Sequence, residues 1–247
     1  MSVLAALGSR VLAVVPTPPA GPGVGDVTVA INGVNGTPSS PVVVLIVMTV
    51  LSVAPALLVM TTSFTKIFVV LSFTRNALGL SAVPPNQVLA GLALFLSLFV
   101  MAPVLSDVNT AGVQPYLDGS VTFTQAVDAG KVPLVDFMLA HTREQDIALM
   151  TRAGGLENPR TPADVEFTTL VPAFVLSELR SAFIMGFVVF VPFLVIDLVV
   201  ASSLMAMGMM MLPPVMVSLP FKILLFVLVD GWGLVIASLV GSYNGSG

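Results

Sequence analysis

Residues 182–211 read AFIMGFVVFVPFLVIDLVVASSLMAMGMMM, with Asp197 as the one charged side chain among them. A helix that crosses a bilayer needs about 20 mostly apolar residues, so this stretch is long enough to span a membrane. It is too long for one straight pass, and it contains Pro192 as well as Asp197. We expect it to be bent, broken or folded as a hairpin, and the sequence leaves these three alternatives open.

Three further apolar segments have the same character. The chain of 247 residues is 56% hydrophobic and 9% charged, whereas soluble domains carry about 25% charged residues. A soluble globular enzyme and a disordered chain are thereby excluded. We predict an all-α integral membrane protein with about four long hydrophobic helical segments and a small α-helical hydrophilic insertion. The three further segments are Val42–Met60, Asn86–Leu105 and Val215–Val240.

The composition also excludes several kinds of chemistry. A formal net charge of −4 offers no cationic field for phosphates, so we expect no nucleic-acid partner. The absence of cysteine removes disulfides, thiolate catalysis and Cys-ligated metals, and the single histidine, His141, argues against a His-rich zinc site. The sequence contains no GxxxxGK[ST] phosphate-binding loop. We therefore predict a protein that is not an enzyme, binds no metal and needs no cofactor.

Composition divides the chain into four regions. A cluster of 13 charged residues, nine of them acidic, lies between Asp107 and Glu166. Cationic loops favour the cytoplasm, and Lys66 and Arg75 lie in such a loop, so the acidic region is predicted to be periplasmic. The regions are 1–41, a candidate signal peptide and flexible Gly/Pro-rich lead-in; 42–105, the first two hydrophobic segments; 106–180, the acidic helical region; and 181–247, the third and fourth segments with a Met-rich tip.

Seven ionisable side chains lie within or beside the apolar segments, where a charge is costly and suggests a function by default. Acids on one segment and cations on the next predict ion pairs between segments, which satisfy buried charges without any role in transport. The alternative is a proton relay through Asp197 or Asp230. The seven residues are Lys66, Arg75, Glu178, Arg180, Asp197, Lys222 and Asp230.

Two patterns near the carboxyl terminus concern packing and the tip of the third segment. Gly233, Ala237 and Gly241 recur at every fourth position, which predicts close helix packing. The run Met209–Met211 precedes Pro213-Pro214 and belongs to a turn. Because methionine is flexible and apolar, the run suits a deformable seal in a ring of subunits, or else ordinary lipid-facing filler. The residues alone favour neither.

Several motifs together resemble those of a known family. The chain carries, in order, MTTSFTK at 60–66, VLSFTRNALG at 70–79, PPNQVL at 84–89, SELR at 177–180, FVPFLVID at 190–197, LPFK at 219–222 and LVDGW at 228–232. Over about residues 42–243 this resembles the FliP family of flagellar type III export-gate proteins. Residues 80–83, LSAV, depart from the family pattern in a loop.

The resemblance implies more than the composition does. Family members form a ring of several copies, with five the expected number, completed by FliQ-like and FliR-like membrane proteins and set in membrane lipid. The ring lines the entry path of unfolded flagellar export substrates, in the inner membrane at the flagellar basal body. Its helices resemble hairpins, which suggests that the third segment folds back on itself. The family's methionine gasket corresponds to Met209, Met210 and Met211, and its inter-segment ion pair to Glu178 and Lys222.

Three functions therefore stand side by side. The preferred one is a pore-forming export-gate subunit needed for flagellum assembly. The alternatives are a proton-coupled secondary transporter and a purely structural scaffold of the basal body.

The amino terminus provides a first prediction. If Leu4–Val15 is the apolar core of a signal peptide, the mature chain begins near Ala20, in the Pro/Gly-rich stretch that follows. Intact-mass measurement or amino-terminal sequencing of the membrane-inserted protein tests this. A mature chain that still carries Met1 or Ser2 would show that the segment is retained.

Overall fold

A computed structural model describes residues 40–244, apart from Ser81, Asn158, Arg160, Pro162, Ala163 and Met210. The candidate signal peptide and the lead-in up to residue 39 lie outside the described residues. The chain divides into two units, Met1–Ser52 and Val53–Gly247. In the first, the described part is the beginning of helix α1; the second is described below.

The described residues form helices and connecting turns, with no strand among them. A π-helical turn, Asn109–Val113, connects α3 directly to α4. The helices are α1 (Ser40–Thr61), α2 (Phe64–Ala77), α3 (Asn86–Val108), α4 (Gln114–Leu117), α5 (Phe123–Ala140), α6 (Glu144–Ala153), α7 (Phe167–Ala206), α8 (Pro214–Leu228) and α9 (Gly231–Asn244).

Within the described residues, two continuous helical stretches are long and apolar enough to cross a membrane, Asn86–Leu117 and Phe167–Ala206. The number rises to four if each of two bent pairs counts as one span: Pro55–Thr61 with α2, bent by 77°, and α8 with α9, bent by 61°. The prediction of an all-α membrane protein is confirmed. The predicted fourth segment, however, is two helices, broken where Asp230 has a left-handed φ of 50°.

Helix α7 differs from the predicted third segment. It begins at Phe167, so the predicted boundary between residues 180 and 181 falls inside the helix. It also stays one helix through Pro172 and Pro192, since a proline removes a single intrahelical hydrogen bond that neighbours in a bundle can compensate. At 1.5 Å per residue its 40 residues measure about 60 Å, roughly twice the hydrocarbon thickness of a bilayer.

The chain reverses after α7 rather than within it. Gly208 has a φ of +73°, a conformation that favours glycine, and the turn ends at Pro213, the residue before α8. Phe193 of α7 packs against Phe226 of α8, and nearer the turn Asp197 meets Ser218, so the two helices are antiparallel. The expectation that the third segment folds back on itself is therefore wrong, because α7 and α8 together make the hairpin.

The core of this unit forms where α2, α3 and α7 meet. Helices α2 and α3 are an antiparallel hairpin, in which Ser63 donates a hydrogen bond to Ser97 over 3.1 Å inside the core. Helix α7 runs parallel to α2, with the ring of Phe73 set edge-on against that of Phe183. Buried apolar side chains fill the space between the helices, among them Ile67, Leu71, Leu89, Ala93, Leu170 and Phe174.

The small-residue track on α9 makes little contact within the single chain, and the close helix packing predicted for it stays a prediction. Ala237 and Gly241 are exposed in the single chain, and a Cβ added to Gly241 would meet no atom within 4 Å. The residues of α9 that pack into the core are larger: Val235, Leu239 and Tyr243. These three side chains lie on the core-facing side of α9 because they bury more apolar surface than glycine or alanine does. Gly233 is half-buried.

Gly112 permits a close backbone approach in the acidic region. It lies in the π-helical turn, and a Cβ built on it would stand 2.6 Å from the carbonyl oxygen of Ala126 and 3.0 Å from the Cα of Gly130, both in α5. Because backbone atoms cannot rotate away as a flexible side chain does, any larger residue must push α5 outward.

We therefore predict that Gly112→Ala destabilises the protein by about 1–3 kcal/mol, as overpacking does. Thermal unfolding of the detergent-purified chain measures this. The control is Gly91→Ala in α3, where an added Cβ meets nothing within 4 Å and helix propensity favours alanine by about 1 kcal/mol. An unchanged melting temperature for Gly112→Ala would contradict the prediction.

Candidate functional site

Three helices meet at a buried polar cluster formed by Lys66 of α2, Glu178 of α7 and Tyr243 of α9. The Lys66 Nζ lies 3.6 Å from the Glu178 Oε1, and the two side chains are only 4% and 2% exposed. The Tyr243 hydroxyl donates a hydrogen bond to the other carboxylate oxygen of Glu178. The Lys66 ammonium also lies 4.1 Å from the centroid of the Tyr243 ring, a cation–π contact.

Every charge in this cluster has a partner. A buried ion pair repays the cost of desolvation only when further hydrogen bonds complete it, and here the tyrosine hydroxyl and ring supply those contacts. The cluster thereby fixes how α2, α7 and α9 align along their lengths.

A second polar layer lies beside it, between α6 and α7. The Ser177 hydroxyl donates to Asp146 over 2.6 Å and accepts from the backbone N–H of Arg143 over 3.1 Å. The His141 ring is tilted against that of Tyr243, with the centroids 5.0 Å apart, and its Nδ1 lies 2.8 Å from the carbonyl oxygen of Phe137. His141 is half-buried and belongs to the packing around Tyr243.

A second ion pair, between a buried lysine and a half-buried aspartate, stands nearer the α7–α8 turn. The Lys222 Nζ, 3% exposed, lies 2.6 Å from the Asp197 Oδ2 and donates to the carbonyl oxygen of Ala77 over 3.3 Å. The Ser218 hydroxyl donates to the other carboxylate oxygen of Asp197 over 2.5 Å. Lys222 thus connects α8 to α7 and to the end of α2.

The structure corrects the predicted pair of Glu178 with Lys222. Each is paired within the chain, but Glu178 with Lys66 and Lys222 with Asp197. Glu178 and Asp197 lie on one helix, 19 residues and about 28 Å apart. Because α8 runs back from the turn, Lys222 reaches the level of Asp197 and not that of Glu178.

The other ionisable residues predicted to be buried divide into two groups. Arg75 is half-buried and donates from Nη1 to Asn86 over 2.6 Å and to the carbonyl oxygen of Pro84 over 3.1 Å, which closes the α2–α3 turn. Arg180 and Asp230 are exposed in the single chain, so the prediction that they are buried is wrong for the single chain. Asp230 lies in the α8–α9 turn, where its carboxylate accepts from the Gly233 N–H over 3.4 Å.

The predicted methionine gasket lies at the α7–α8 turn. Met211 is 99% exposed and Met209 is 43% exposed, whereas Met210 is outside the described residues. The turn leaves Met209 and Met211 outside the core of the chain.

The arrangement as a whole holds charges in pairs between helices. Among the residues described, no three His, Cys, Asp or Glu side chains are placed to bind a metal ion. The sequence flagged Lys66 and Glu178 separately as buried charges, but it missed Tyr243. A tyrosine near the end of an apolar helix gives no signal of its own, because its role depends on which helices meet it.

The fold and these paired charges define a helical membrane protein whose segments are registered by buried ion pairs. Comparison with known proteins gives the family: a model described as the FliP family matches residues 47–239, and the chain belongs to it. Relatives called flagellar biosynthetic protein FliP include one from Bacillus subtilis, 53% identical over 78% of this chain and 87% of the relative, and one from Pectobacterium carotovorum, 54% identical over 76% and 73%. Another, from Cereibacter sphaeroides, is 50% identical over 78% and 64%.

The corrected pairing predicts which charges are energetically coupled. Lys66→Met leaves Glu178 buried and unpaired, at an expected cost of about 3–5 kcal/mol, and Glu178→Gln in the same chain should recover a large part of it. Denaturant unfolding of the detergent-purified variants measures both.

The matched control is Lys222→Met, whose cost should add to that of Glu178→Gln without recovery, because sites this far apart are independent. Coupling of Glu178 to Lys222 and not to Lys66 would reverse the assignment.

Proposed function

We propose that this chain is a pore-forming subunit of the flagellar type III protein export gate. In this proposal several copies, with five the expected number, form a ring together with FliQ-like and FliR-like membrane proteins. The ring passes unfolded flagellar substrates across the inner membrane at the basal body, with the acidic region on the periplasmic side. Membership in the FliP family, whose relatives are called flagellar biosynthetic proteins, supports a role in flagellar export.

The observation that carries the pore is the exposed methionine turn. Met209 and Met211 stand at the end of a helical hairpin with no core to fill. Thioether side chains are flexible and uncharged, so copies gathered around an axis would close an opening with soft apolar material. Such a closure excludes water and ions, yet it yields when a polypeptide passes.

The chain's own charges support passive gating rather than chemistry. Asp197, the first candidate for a proton relay, is held by Lys222 and by the Ser218 hydroxyl. Asp230, the second, is exposed in the α8–α9 turn and accepts a hydrogen bond from Gly233. These contacts give each carboxylate a structural role, and a gate that performs no chemistry does not need either of them as a proton carrier.

The gasket is tested by replacing Met209, Met210 and Met211 with alanine. The ring should still assemble, because the turn contributes little to packing between helices, but its seal should fail. We expect an increase in single-channel or liposome ion conductance of the purified complex, and poor growth of cells in high salt.

The matched control is Met216→Ala, an exposed methionine on α8 that lies beyond the turn and should leave the seal tight. An assembled triple variant that is as tight as the wild type would reject the gasket and return these residues to lipid-facing filler. Normal flagellum assembly and export in cells lacking the chain would reject the gate itself.

A further inference from the structure

Arg180 is a cation that the single chain leaves exposed in apolar surroundings. It lies at a shallow groove of about 630 Å³ in the surface of α7, whose other walls are aromatic and aliphatic. No residue in the described part of the chain pairs with its guanidinium. The groove is completed by Phe73, Phe183, Ile184, Phe187, Val188, Phe190 and Leu194.

Two exposed carboxylates likewise have no cationic partner in the described part of the chain. Asp107 and Asp136 face an open cavity of about 780 Å³, which Val104, Pro133 and Tyr243 help to line. Both aspartates are exposed, and within the described ranges neither carboxylate has an ion-pair or hydrogen-bond partner. An arginine suits such a cavity, because its stem packs on apolar walls while its planar head binds carboxylates in a fork.

The two features lie on opposite sides of α7. Glu178 points toward Tyr243, which lines the acidic cavity. Arg180 follows two residues later, about 200° around the helix from Glu178, and therefore points away from that cavity. One copy cannot bring its own Arg180 to its own Asp107 and Asp136.

The two features are offset along α7. Asp136 is the neighbour of Phe137, which packs against Phe174 of α7, and Phe174 lies six residues, or about 9 Å, from Arg180 along the helix. A ring axis tilted relative to α7 brings the two levels together, and contacts between opposite faces are what a head-to-tail ring uses.

We propose that Arg180 of one copy inserts into the acidic cavity of the next copy, where it pairs with Asp107 and Asp136. The apolar groove around Arg180 is then covered by the neighbouring copy. This inference rests on the ring in the proposed function and names the contact that joins its subunits.

Cysteine cross-linking tests the contact directly, because the chain has no cysteine of its own. Two differently tagged chains, one with Arg180→Cys and one with Asp136→Cys, are co-expressed in cells and oxidised mildly in the membrane. We expect a disulfide-linked heterodimer in most of the assembled chains. The control pairs Arg180→Cys with Lys131→Cys, an exposed position on the same helix about 140° from Asp136, and should give at least tenfold less heterodimer.

Charge reversal gives a second, independent readout. Arg180→Glu should abolish the multimer in native mass measurement, and adding Asp107→Lys with Asp136→Lys in the same chain should restore it. The contact would be overturned if the charge-reversed chain does not regain the multimer and the cysteine pair does not cross-link, while the wild-type chain still forms its ring. Those results would leave the proposed gate standing. A wild-type chain that forms no multimer would instead overturn the proposed function.

Two other results would also reject the contact. Cross-linking of Arg180→Cys to itself would show a symmetric interface. Loss of co-purified phosphatidylglycerol in Arg180→Gln, without any effect on assembly, would show that an anionic lipid covers this arginine.

Discussion

The pairing of Lys66 with Glu178 in an apolar interior is the constraint on which the rest of the structure depends. Neither charge has enough water around it to be tolerated alone, so α2 and α7 must meet at this level. The Tyr243 hydroxyl and ring then fill the remaining contacts of both groups, which brings in α9. An ion pair of this kind adds little to the net stability of the fold. Its main effect is to select one alignment of the helices, because sliding either helix by a turn would leave a buried charge unpaired.

Helix α7 becomes the common reference for the other helices. Near Ser177 and Glu178, α7 makes polar contacts with α2, α6 and α9. Near Asp197 it forms an ion pair with α8. Lys222 also reaches the carbonyl oxygen of Ala77, at the end of α2. Two separated sets of polar contacts along one long helix allow little rotation or sliding of the helices that bind both, and they hold the methionine turn beyond the second set.

A large apolar surface remains exposed on the single chain. Large apolar side chains of α7 and α8 stay exposed, among them Phe183, Phe187, Leu198, Phe221 and Val227. The hydrocarbon of a membrane satisfies such a surface, but it does not satisfy an arginine or an aspartate. A charge exposed among apolar side chains is therefore more informative than the apolar surface itself, since hydrocarbon leaves it without a partner.

The sequence alone determined the class of protein, the family and the residues that matter most. Long uncharged stretches require a membrane, because no soluble core could bury them, and each charge within them stands out for the same reason. Motifs spread from residue 60 to residue 232 were sufficient for the family. Only the tertiary structure decided which charges pair, that α7 is one helix, and that α9 packs through Val235, Leu239 and Tyr243 rather than through its small residues. These outcomes depend on how the helices are aligned along their lengths. Packing contacts among several helices together set that alignment, and the residue spacing within one segment does not determine it.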